Sequence, residues 1–231
     1  MKRFDISIFL IILCVGNLLA EGRGSDIVTT CTTGDSAGSH KETAQDIVAV
    51  IRKVNAYWQG ENIPEVRAFW DHAAYHTGNM EAYKLTGDKS YLDYSIAWAE
   101  HNQWKGAKSD NKAEWRYNYG ENECHVLFGD WQCCFQTYID LYNIQPADYK
   151  IARACEVMEY EMSTDYNGYW WWADGLYMVM PVMTKLYNVT KNPLYLEKLH
   201  EYFSFADNIM YDKEVGLYYR DGNFVFPRHK T

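Results

Sequence analysis

The chain has 231 residues, 48% of them hydrophobic and 16% aromatic, with 31 acidic against 22 basic side chains and a formal charge of −9. That is enough chain to bury a sizeable core, and the acidic balance argues against nucleic acid as a partner. An anionic small substrate is still allowed, because a few arginines reverse the potential inside one pocket, and Arg116, Arg220 and Arg228 stand near the aromatic segments.

At the N-terminus, Lys2 and Arg3 precede an apolar run over 6–19 and the small residue Ala20. This is the layout of a secretory signal peptide, too short for a membrane span, so residues 1–20 are expected to be cleaved and the protein exported, periplasmic or secreted, without stable membrane insertion. Leu13 stands before Cys14, where a lipoprotein signal would place a small residue. Residues 21–40, rich in Gly, Ser and Thr, read as a flexible leader to a domain spanning 41–231. The five remaining cysteines (Cys31, Cys124, Cys133, Cys134 and Cys155) are odd in number and fit no zinc spacing. They read mostly as small buried hydrophobes with one disulfide possible, and neither a metal nor a cofactor is expected.

From residue 41 onward the pattern is helical. Apolar positions recur at helical spacing in Ile47, Val50, Ile51, Val54 and Trp58, and in Leu127, Trp131, Cys134, Tyr138 and Leu141. Helices are predicted near 42–58, 66–85, 89–104, 124–143, 147–162, 174–188 and 193–209, with a small hairpin or irregular loop over 216–223. The helix near 89–104 has one polar side. The one near 174–188 is apolar almost all round, which predicts burial on every side and a bend at Pro181.

The chain also repeats itself. Leu85, Thr86, Gly87, Asp88, Lys89, Ser90, Tyr91 and Leu92 align without gaps to Val189, Thr190, Lys191, Asn192, Pro193, Leu194, Tyr195 and Leu196, each marking a turn between two helices. Helical hairpins of roughly fifty residues follow, a period shared by solenoids and toroids. A TPR-like solenoid accounts for the repetition alone. The longer repeat and the apolar inner helices favour an all-α, α/α toroid, with 66–85, 124–143 and 174–188 inside and 89–104, 147–162 and 193–209 outside.

Two acids stand where loops run into inner helices. Asp174 follows Trp170, Trp171 and Trp172, and Asp130 sits within Phe128, Gly129, Trp131 and Gln132. Either acid alone can be an N-cap. Capping does not account for three consecutive tryptophans, whereas indole faces hold sugar rings and an aspartate crowded by indoles keeps a proton near neutral pH. The two are a candidate catalytic pair, expected to converge on one cleft lined by Trp172 and Trp131.

Trp70 and Asp71 with Tyr75, His76, Thr77, Gly78 and Asn79, then Thr86, Gly87 and Asp88, then Gly129, Asp130 and Trp131, and finally Trp172, Ala173, Asp174, Gly175, Leu176, Tyr177, Met178 and Pro181 resemble glycoside hydrolase family 105. Those enzymes are unsaturated rhamnogalacturonyl hydrolases, sisters of the family 88 unsaturated glucuronyl hydrolases. The resemblance implies an (α/α)6 toroid of six-hairpin glycosidase type and an oligosaccharide substrate, from pectin (rhamnogalacturonan), bearing a 4,5-unsaturated uronic acid. It implies that Asp174 protonates C4 and helps water add at C5, that Asp130 stabilises the developing positive charge, that Trp172 stacks on the ring, and that Trp131, His76 and Asn79 contact substrate. An Arg-Gly-Asn-Gly-Trp segment expected downstream is not reached by Thr231, so a partial ring of about three and a half hairpins is expected at roughly fifty residues each. The sister glucuronyl specificity, an ordinary two-carboxylate glycosidase and a non-catalytic helical carbohydrate-binding protein stand as alternatives.

Overall fold

The computed structural model describes residues 43–224; the expected signal peptide, the leader, Cys31 and Arg228 lie outside the described residues. The chain divides into two units, 1–58 and 59–231. Helix α1 (Ala44–Glu61) opens in the first unit. Its start is fixed by Thr43 and Asp46: Thr43 donates from its backbone N–H and hydroxyl to the Asp46 carboxylate at 2.8 and 2.7 Å, and Asp46 N–H donates back to Thr43 Oγ1 at 3.3 Å. That reciprocal arrangement satisfies donors that a bare helix end leaves unpaired.

The second unit is built from helical hairpins. Helix α2 (Trp70–Thr86) is followed by α3 (Lys89–His101); the single turn α4 (Gly129–Gln132) runs through Cys133 into α5 (Cys134–Ile144), followed by α6 (Tyr149–Met162); and α7 (Ala173–Thr190) is followed by α8 (Leu194–Met210). The first helices of the hairpins pack on one another in the order α2, α5, α7, and each second helix packs behind its own partner. This is the inner and outer arrangement of an all-α toroid, and it matches the order that the repeat predicts. Strands β1 (Tyr211–Asp212) and β2 (Leu217–Tyr218) pair antiparallel, Tyr211 opposite Tyr218, so the hairpin expected over 216–223 begins earlier.

The repeat is reproduced bond for bond. Thr86 and Thr190 each donate a hydroxyl to the carbonyl one turn back (Ala82 at 2.7 Å, Leu186 at 2.8 Å) and accept the N–H of Asp88 or Asn192, both at 3.2 Å. The Asp88 and Asn192 side chains then accept from Ser90 and Leu194 N–H at 3.0 and 3.1 Å, starting the outer helix. Gly87 and Lys191 both end the inner helix with left-handed backbone, φ 68° and 60°. Glycine adopts that conformation freely and lysine does so at a cost.

Pro181, where the sequence places a bend, sits inside α7, and the helix runs on past it. Its missing N–H leaves the Tyr177 carbonyl without its ordinary donor, and Gln136 of α5 supplies one, its amide nitrogen lying 2.9 Å from Tyr177 O and 3.0 Å from Met178 O. One expectation for α7 needs correction, its burial on every side: Asp174, Thr184 and Asn188 are exposed and Tyr177, Met180 and Pro181 half-buried. Among the described residues it is the last inner helix, so α5 and α8 cover only part of its circumference.

All four cysteines in the described residues are free, Cys133 and Cys134 fully buried. Among the described residues, no helix is long and apolar enough to cross a membrane.

Candidate active site

The site is built from the first turns of three inner helices. Asp71 lies in the first turn of α2, Asp130 in that of α4 and Asp174 in that of α7. Parallel packing of the inner helices brings these turns to one end, close enough that Asp174 and Asp71 both act on Asp130. Asp130 is 4% exposed. Burial first, then the negative charges of Asp174 and Asp71, push its carboxyl up to about 7, and no ion pair to it is present among the described residues to offset this. Asp174 is solvent-exposed. Among the described residues, Asp71 differs from both in having a cation: Arg67 Nη2 lies 3.0 Å from its carboxylate, and Arg67 Nε reaches Glu121 at 2.6 Å.

The sequence pointed to Asp174 as the acid crowded by indoles; the structure gives the burial to Asp130. The reason is the course of Trp172. Its ring stacks on Phe128, centroids 4.7 Å apart and 8° from parallel, and a Cβ added to Gly129 or Gly175 would stand 3.2 Å from it. Trp172 is therefore a spacer between the turns that carry Asp130 and Asp174. At 9% exposure, with Phe128 against its face, it is not the stacking wall for a sugar ring that the resemblance implies.

Trp131 is corrected in the same way. It is buried, edge-on to Phe69 at 4.8 Å, and its indole N–H donates to Gly120 O at 3.3 Å, the carbonyl that His125 Nδ1 also meets at 3.0 Å. It anchors the loop over 116–125 against the acid-bearing turn. Behind that turn, a Cβ on Gly106 would fall 1.9 Å from Trp131 O, so only glycine permits this approach. The aromatic surface left open nearby belongs to Trp70, which precedes Asp71, and to Tyr119, 74% exposed and 6.0 Å from Phe128. Sequence reasoning singled out neither as a candidate contact. For Trp70 the available signal was the recurrence of tryptophan within two residues of aspartate at each inner helix start: Trp70 and Asp71, Asp130 and Trp131, Trp172 and Asp174.

His76 and Asn79, expected as substrate contacts, face the outer helix α3 instead. His76 is buried and stacked on Trp98 (4.0 Å, 11°), with Nδ1 3.0 Å from Ser95 Oγ, and burial holds it well below the usual imidazole range. Asn79 donates to Tyr91 O and Ser95 Oγ at 2.6 and 2.8 Å. Both sit further along α2 than Asp71, on the stripe that must fill the gap to α3, so their polar atoms are consumed by packing.

Of the arginines, Arg116 spends one guanidinium nitrogen on the carbonyls of Ala113 and Trp115. Arg220 lies beside the α7 start, because its carbonyl accepts the Ala173 N–H at 2.7 Å and Trp172 bridges to Asp221. Its guanidinium pairs with Asp221 at 2.6 Å and is largely exposed.

This architecture has relatives. A structure described as a glycosyl hydrolase family 88 protein from Bacteroides vulgatus is 63% identical with a TM-score of 0.79, the match covering 82% of this chain and 55% of that one. A second, described as a polysaccharide lyase, is 70% identical with a TM-score of 0.78, over 80% and 52%. An unsaturated 3S-rhamnoglycuronyl hydrolase of Formosa agariphila is 28% identical over 169 residues, 68% of this chain and 41% of that protein. The chain thus spans about half the length of the relatives it matches. Residues 43–230, taking in all three acid-bearing turns, match the profile of Glycosyl Hydrolase Family 88, the sister of the family that the motifs resemble, and the chain belongs to that family.

Proposed function

We propose that the protein hydrates the 4,5-double bond of an unsaturated uronic acid at the non-reducing end of an oligosaccharide, releasing the neighbouring sugar. The observation that carries this reading is Asp130, a buried carboxyl that keeps a proton to about pH 7 beside the exposed Asp174. Such a pair holds one proton between two acids, one of them open to substrate. Asp174, the member of the pair open to substrate, takes that proton from Asp130 and delivers it to C4. Positive charge then develops at C5 and the ring oxygen, facing the carboxylate left on Asp130. Asp174, now a base, takes a proton from the water that adds at C5, and the resulting hemiketal opens and frees the next sugar.

The name of the Formosa agariphila relative supports rhamnose as that next sugar, the specificity associated with family 105. Arg220, at the start of α7, is the described arginine suited to the uronate carboxylate. The signal-like residues 1–20 support export.

The test is the ultraviolet absorbance of the conjugated uronide, which hydration removes. Asp174→Asn should abolish that loss while preserving binding. The 70% identity to a protein described as a polysaccharide lyase favours a second reading, β-elimination, in which the absorbance rises instead. Sugar release without a change in absorbance would indicate a two-carboxylate glycosidase, and binding alone a capture protein.

A further inference from the structure

Glu161, on the outer helix α6, takes no part in the chemistry above, yet it is 1% exposed and unpaired with any cation among the described residues. Burying an acid in that way is costly unless it is neutral, and burial does hold its carboxyl well above the usual range. Oε1 accepts from Gln132 Nε2 at 2.5 Å. The same nitrogen lies 3.2 Å from Val126 O, so one amide group ties the outer helix to the segment that leads into Gly129 and Asp130. Gln132 is itself the last residue of α4, the turn that carries Asp130. Oε2 is buried without a hydrogen-bond partner among the described residues, as are Tyr202 Oη and Trp170 Nε1. Tyr117, Tyr169 and Tyr202 all lie within electrostatic range of Glu161, and Trp170 packs on Tyr202 at 5.2 Å.

We propose that Glu161 is a positioning residue for Asp130, acting through Gln132 to hold the Val126–Gly129 approach and the α4 turn at the depth where Asp130 is shut off from water. The inference rests on the reading of Asp130 as a member of the catalytic pair. An apolar residue would fill the space between α6 and α4 without supplying the acceptor that orients the Gln132 amide. A charged, cation-paired acid would bring water and counter-charge towards the site. A neutral acid supplies the acceptor without a charge, and carries one O–H donor besides. The groups that face Asp130 from other elements are Asp174 on α7 and Asp71 on α2, with Cys133 next to it on its own segment; none of them contacts Glu161 in the bonds described.

The experiment is carbon-13 NMR titration of the Asp130 carboxyl in the whole chain, alongside thermal melting and the pH profile of turnover. Glu161→Gln keeps the acceptor and leaves the side chain neutral, so Asp130 should titrate as in the parent. Glu161→Met keeps the volume and removes the acceptor, and Gln132→Met breaks the same tie from the other side should the first variant not fold. Either should move the Asp130 midpoint down by about one pH unit or more as water reaches the turn. A lowered melting temperature with an unmoved Asp130 titration would overturn the proposal, as would a Glu161→Gln variant behaving like Glu161→Met. Since the titration needs no turnover, a moved midpoint in a protein that acts on no unsaturated uronide would leave the positioning role standing and refute the proposed activity.

Discussion

Asp130 and Asp140 lie on the same inner segment of the second unit, both almost fully buried at 4% and 6%, and their surroundings are opposite. Asp140, towards the end of α5, receives Lys185 Nζ at 2.8 Å and Lys84 Nζ at 3.3 Å, Lys84 being held also by Glu81 at 2.7 Å. Asp130, at the start of α4, faces two further acids. A buried carboxylate with cations on it ties three inner helices together; one without them stores free energy that chemistry can use. Burial alone therefore does not mark a site. The sign of the neighbours does.

Exchanging the acids for amides tests that contrast most directly. Asp130→Asn should slow turnover roughly 100- to 10,000-fold, the range for an acid–base group, whereas Asp140→Asn should leave turnover per folded molecule unchanged in the same absorbance assay.

Next in size is the dependence of stability on pH. The folded protein keeps the Asp130 proton to about 7, while an unfolded chain gives it up near 3.8. Between those values the folded state binds more protons, so this group makes stability fall as pH rises through that window and costs on the order of 3–4 kcal/mol once both states are ionised. Asp130→Asn should remove that loss: equal stability near pH 4 and a clear gain near pH 8 by urea unfolding. A parallel pH dependence in parent and variant would mean that Asp130 is not the strained acid.

Asp140→Asn should destabilise by about 2–3 kcal/mol at neutral pH, less than the loss of a fully buried pair because Lys84 is half exposed. Adding salt should narrow the difference between parent and variant.

The smallest effects lie in the turns that close the inner helices. Gly87→Ala should cost about 1 kcal/mol, because alanine pays for left-handed backbone that glycine adopts freely. Lys191→Gly should raise stability by a few tenths to about 1 kcal/mol, reduced by loss of the Lys191 contact over the Tyr187 ring at 5.9 Å. Opposite signs at the two positions, read by thermal melting, would confirm that the two turns are one device built twice.

Local chemistry accounts for what the sequence determined by itself. Threonine capping, the left-handed residue and the Asx acceptor act within a few residues of one another, so the repeat at Thr86 and Thr190 predicts both turns, and the apolar periodicity predicts the order of inner and outer helices. The acid starts Asp130 and Asp174 are visible for the same reason: each sits a few residues from the aromatic that shapes its turn. Only the tertiary structure decided which acid is buried, that Trp172 spaces turns rather than facing solvent, that His76 and Asn79 are consumed between α2 and α3, and that Gln136 covers the carbonyl freed by Pro181. These depend on which face of one helix meets another and on charges far apart in sequence. Periodicity carries an apolar face to the inside, but the depth of an acid and the partner of a polar group are set by where the neighbouring helix stops.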